Sequence, residues 1–111
     1  MAAYSINLLV EKNTDFSTTI TITDEDNGLP LNLTGFTAEA KIKRSFAAVV
    51  SQSFVVEFID RVDGVIGLSL TNTQTSLLTA RRYVYDLVVT SPAGIKTRMV
   101  EGIIEVSPGA T

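Results

Sequence analysis

Thr37-Ala38-Glu39-Ala40-Lys41-Ile42-Lys43-Arg44 decides the fold class. Ala38, Ala40 and Ile42 fall at every second position, with Glu39, Lys41 and Lys43 between them. A strand turns successive side chains to opposite faces, so this is the pattern of a strand wet on one side and buried on the other. Working outward, the same period of two returns in six further segments. Tyr4–Glu11 places Ile6, Leu8 and Val10 on one face. Phe16–Thr23 sets Phe16, Ile20 and Ile22 against Ser17, Thr19, Thr21 and Thr23, and threonine suits a strand's solvent face. Phe54–Ile59 turns Phe54, Val56 and Phe58 inward, and Val65–Leu70 turns Ile66, Leu68 and Leu70 inward. Arg82–Thr90 and Lys96–Val106 are apolar on both faces, which predicts a central pair or a face that meets a partner.

The turns punctuate this rhythm. Asp63-Gly64 predicts a hairpin between the fourth and fifth strands, and Ser91-Pro92-Ala93-Gly94 one between the sixth and seventh. Gly35, Gly64 and Gly94 are the expected positive-φ positions. Thr71–Thr79 breaks the period and predicts one helical turn near residues 72–78, capped by Thr71 or Asn72. Ser45–Ser53 is predicted as an alanine- and serine-rich loop, Phe46 apart. Seven short strands in 111 residues predict a single domain over residues 1–111: an all-β, two-sheet antiparallel sandwich of immunoglobulin-like kind, with a small barrel as the alternative.

Composition narrows the chemistry. The chain has no cysteine and no histidine, so disulfides, thiolate sites, the commonest general base and the commonest metal ligand are all absent. Twelve carboxylates against nine lysines and arginines give no electrostatic reason to bind nucleic acid or an anionic membrane. No apolar run approaches the ~20 residues of a spanning helix. Met1-Ala2-Ala3-Tyr4-Ser5 lacks the basic and apolar regions of a signal peptide, so the expectation is a chain made and kept in a cytoplasm.

Candidate sites are few. Asp24-Glu25-Asp26-Asn27-Gly28 is the one metal-like run, but Gly28 falls at loop position five and Gly35 at position twelve, so the calcium-loop spacing fails and a solvated turn is expected. Glu39, Glu57, Glu101 and Glu105 alternate outward, which does not make the close acid pair of a glycosidase. Lys41, Lys43 and Arg44 read as a wet strand face. Tyr83 and Tyr85 share a face and resemble the tyrosine corner of sandwich domains. Catalytic residues, cofactors and metals are therefore expected to be absent. Leu9, Val55, Ile59 and Ile103 point away from the core in these registers and are the candidate subunit interface, with Val84 and Val88 opposing the tyrosine face. Phe36 and Tyr85, with loop 45–53, are the candidate rim for a carbohydrate or host-surface group, the alternative function.

The order of certain segments carries a resemblance. Leu31-Asn32-Leu33-Thr34-Gly35-Phe36-Thr37 leading into Ala38–Lys43 resembles a recurring segment in small bacteriophage virion structural proteins. Gly64–Thr71, Gln74-Thr75, Tyr83-Val84-Tyr85-Asp86-Leu87, Gly94, Arg98, Glu101-Gly102 and Val106-Ser107-Pro108 continue it in order. It is similar also to the β-sandwich domains at the start of some baseplate or tail-fibre-anchoring proteins, and spans about residues 28–108. Ala80-Arg81-Arg82 departs from it where relatives often carry glycine before the tyrosine. The resemblance implies a virion location after synthesis in the host bacterial cytoplasm. It implies assembly through tail, baseplate or neck contacts, without catalysis. The expected partners are other virion proteins and further copies of the chain, with trimers or hexamers favoured because rings need heterologous contacts.

Overall fold

The computed structural model describes residues 4–24 and 27–110. In chain order the elements are β1 (Tyr4–Ser5), β2 (Leu8–Glu11), β3 (Phe16–Thr21), β4 (Thr37–Lys43), β5 (Val50–Ser53), β6 (Val55–Asp60), β7 (Val65–Leu70), α1 (Asn72–Ser76), β8 (Arg82–Thr90) and β9 (Lys96–Ser107). Six strands form one sheet in the order β1-β9-β8-β4-β5, with β2 also on β9, and β3-β7-β6 form the other. Every pair is antiparallel except β1 and β2, which run parallel to β9. The fold is an all-β two-sheet sandwich, and in immunoglobulin lettering its strand order would read A′-G-F-C-C′ over B-E-D. The central pairing expected of the last two long strands is observed, with β8 and β9 side by side in the larger sheet.

The core lies between the sheets. Ile20, Ile66, Leu68 and Leu70 from the smaller sheet meet Ala40, Ile42, Tyr85, Leu87 and Ile104 from the larger. Phe54 packs edge-on to Tyr85, ring centroids 5.8 Å apart, and also touches Phe16 at 6.2 Å. Gly64 closes the β6–β7 turn at φ +68°, and a Cβ there would press on the carbonyls of Ile22 and Leu31, so no other residue fits. α1 begins at Thr71 in a capping box: Thr71 Oγ1 accepts from the Gln74 amide, and Gln74 Oε1 accepts from the Thr71 amide. Asp15 accepts from Asn72, and the buried Thr75 hydroxyl donates to the Thr14 carbonyl, which ties α1 to the β2–β3 turn.

Four features differ from the sequence reading. Residues 50–53 form β5 rather than loop, an edge strand paired to β4 through Lys41↔Ser53 and Ile42↔Gln52. Its Val-Ser-Gln-Ser sequence has no apolar alternation because little of it is buried. Tyr4–Glu11 is two strands, because Ile6 dips onto Gly102 in β9; a Cβ at Gly102 would collide with the Ile6 carbonyl. That carbonyl accepts the Tyr85 hydroxyl at 2.6 Å, and the Asn7 side chain accepts the Ile103 amide at 3.1 Å in place of a ladder carbonyl. The pairing of this N-terminal segment is parallel, not antiparallel. Finally, β9 carries a bulge at Met99: Val100 lies opposite Leu87 but Arg98 opposite Val88. Met99 and Val100 are both buried, and Arg98 is turned outward to Asp86, 3.1 Å away. The bulge lies on the N-terminal side of Val100, so the outward setting of Ile103 stands.

Candidate interaction surfaces

Strand alternation leaves two outer faces, one per sheet. On the larger sheet, Val84 of β8 lies opposite Ile103 of β9, and Leu9 of β2 follows across the parallel edge. Leu9 is 59% exposed and Ile103 39%. Phe46, from the β4–β5 connection, reaches onto this face between two shallow grooves: one holds Lys43, Val84 and Asp86, the other Asn7, Val84 and Ile103. The ring is 58% exposed, so one side lies on the sheet and the other meets solvent. Charges of both signs surround this apolar strip. Arg98 pairs with Asp86, and Lys41 sits 3.4 Å from Glu39. The strip is therefore an apolar centre in a polar rim, the general anatomy of a protein contact.

The smaller sheet offers a different surface. Val55 and Ile59 project from β6 at 53% and 54% exposure. Ile59 lies across Gly67 of β7, whose missing side chain makes room for it. Ser17, Thr19 and Ser69 complete a shallow groove in which Glu57 is the one charged lining residue. The four candidate interface residues thus form two pairs on opposite faces, Leu9 with Ile103 and Val55 with Ile59. They are not one patch. Sequence register placed all four outside but could not assign their strands to sheets.

The candidate rim does not form. Tyr85 is buried in the core, and its hydroxyl is held by Ile6. Burial pushes its phenol up to about 12. Phe36 is half-buried against the core, its carbonyl bound by Arg61 at 2.8 Å. Phe36 precedes β4, whereas Tyr85 lies opposite Ile42, so about 20 Å of strand separates them at ~3.3 Å per residue. Tyr83, not Tyr85, makes the tyrosine corner: its hydroxyl accepts the Ala80 amide at 3.0 Å, where the chain turns from α1 into β8.

Asp24, Asn27 and Gly28 form a turn closed by the Thr23↔Pro30 bridge, with the Asn27 side chain accepting the Leu29 amide; Glu25 and Asp26 lie outside the described residues. Among the described residues, no three acidic side chains gather as a cation site. The sequence reading placed loop 45–53 at the candidate rim without singling out Phe46 within it. Its signal was a lone aromatic in a small-residue connection, but only the fold shows which face that connection crosses. No family model matches the chain, and no curated protein matches it significantly.

Proposed function

We propose that this chain is a non-enzymatic assembly module that works through protein–protein contacts, as a structural part of a tailed-phage virion. The observation that carries the assembly reading is the presence of two unlike apolar patches on opposite faces, Leu9, Phe46 and Ile103 on one and Val55 and Ile59 on the other. A self-complementary dimer uses the same patch twice, whereas a head-to-tail contact uses two different ones, and head-to-tail contacts close into rings when the rotation between neighbouring copies closes and run on as open filaments when it does not. The virion part of the reading rests on the ordered segments between residues 28 and 108. The non-enzymatic part is supported by a sequence without histidine or cysteine and by open, shallow grooves in place of a cleft.

Light scattering across a concentration series tests assembly, with a trimer or hexamer as the expected result. Ile103→Glu disables one face and Ile59→Glu the other, so each variant alone should lose the ring. An equimolar mixture keeps one intact contact and should form a heterodimer and nothing larger through these faces. A ring that survives Ile59→Glu would overturn the head-to-tail reading. Mass spectra of density-purified particles test the virion reading, and absence of the chain's peptides would remove it.

A further inference from the structure

A sheet edge exposes a row of unpaired N–H and C=O groups, and stable monomers blunt it with short strands, bulges or charges. Three edges of this sandwich are blunted. β5 has four residues and a bulge at Ser51. β6 is bulged at Ile59 and carries Glu57 and Asp60. The β1 and β2 edge is interrupted at Ile6 and Asn7 and ends in Glu11. β3 differs: it runs Phe16-Ser17-Thr18-Thr19-Ile20-Thr21, uncharged, without proline or glycine, and in unbroken register with β7.

The free groups on β3 can be identified. Just past the strand, the Ile22 amide donates to Gly64 on the β7 side at 2.8 Å. Antiparallel alternation then turns the backbone groups of Phe16, Thr18 and Ile20 toward β7, and those of Ser17, Thr19 and Thr21 toward the open edge. Among the described residues, no hydrogen bond outside the β3–β7 ladder involves those three. Their side chains are also exposed, on the outer face of the smaller sheet.

We propose that β3 is a self-pairing edge, at which two copies of the chain join antiparallel about a two-fold axis through Thr19. Residues opposite one another in such a pair share a face, and centring on Thr19 sets Ser17 opposite Thr21 of the second copy and Thr19 opposite its own counterpart. Every free backbone pair on the edge is then used. Hydroxyl side chains face hydroxyl side chains, a favourable cross-strand pairing, and no like charges meet. The edge reads alike in both directions, which is why a second copy fits it; it offers no charge by which to select a different partner. Two three-stranded sheets become one. This contact is separate from the head-to-tail faces and stands or falls without them.

Cysteine cross-linking in the Ile103→Glu background, where the face contact is disabled, tests it. The chain has no native cysteine. Directly opposed residues of a hydrogen-bonded pair lie ~5.5 Å apart at Cα, within disulfide range. Thr19→Cys alone should therefore form a disulfide dimer on mild oxidation, and Thr21→Cys alone should not. Thr21→Cys mixed with Ser17→Cys should cross-link. Thr19→Lys in the same Ile103→Glu background, which sets like charges on the axis, should be monomeric in light scattering with the melting temperature of Ile103→Glu alone. Cross-linking at Thr19 no faster than at Thr21, or a dimer that persists in Thr19→Lys, overturns the proposal.

Discussion

Tyr85 joins the core to the N-terminal edge of the larger sheet. Its ring packs against Phe54 in the core, and its hydroxyl donates to Ile6, across the sheet edge from its own strand. Tyr85→Phe keeps the packing and removes the bond, so it should cost about 1 kcal/mol in urea denaturation. The effect should also depend on pH. The phenol is raised from 10.0 to about 12 in the folded state, so its contribution is full below pH 10 and is lost as pH rises toward 12. The stability gap between wild type and Tyr85→Phe should thus narrow between pH 8 and pH 11.5; a constant gap would mean that the hydroxyl is not sequestered. In the sequence Tyr85 and Tyr83 are equivalent, two residues apart on one strand face. Only the approach of Ile6 and Ala80 separates a strap from a tyrosine corner.

At the scale of elements, α1 and the N-terminal strands show how far local signals reach. The capping box is written in Thr71 and Gln74, three residues apart, because it involves only neighbours in the chain. Thr71→Ala should lower stability by about 1 kcal/mol, measured as a shift of the urea midpoint. The break between β1 and β2 has its cause 96 residues away, at Gly102 and Ile103. A glycine inside a strand is itself a sign of close backbone approach, but not of what approaches. Gly102→Ala should displace Ile6, cost roughly 1–3 kcal/mol as an overpacked site does, and speed amide exchange in residues 4–11 while leaving β8 protected. Protection unchanged at residues 4–11 would show that the segment is held by something else. β5 escaped the periodicity for a related reason: an edge strand that buries little needs no apolar alternation.

At the scale of the whole molecule, the outer faces should be separable from stability. Leu9→Glu and Ile103→Glu replace side chains that are exposed on the outer face of the larger sheet, so their melting temperatures should stay within a degree or two of wild type, as expected of surface changes within about 0.5 kcal/mol, while association through that face is lost. A large fall in melting temperature would mean that these residues are structural. By itself the sequence determined the all-β class, the long strands, the capped helical turn, the hairpins at Asp63-Gly64 and Ser91–Gly94 and the inward set of apolar residues. All of these follow from side-chain alternation and local backbone preference, which act over a few residues. Only the tertiary structure decided that Leu9 and Ile103 lie back to back with Val55 and Ile59, that Tyr85 is a buried strap, that Phe46 covers the larger sheet, and that β3 is an open edge. These depend on which strands become neighbours, and strand pairing joins residues whose separation along the chain leaves no periodic trace.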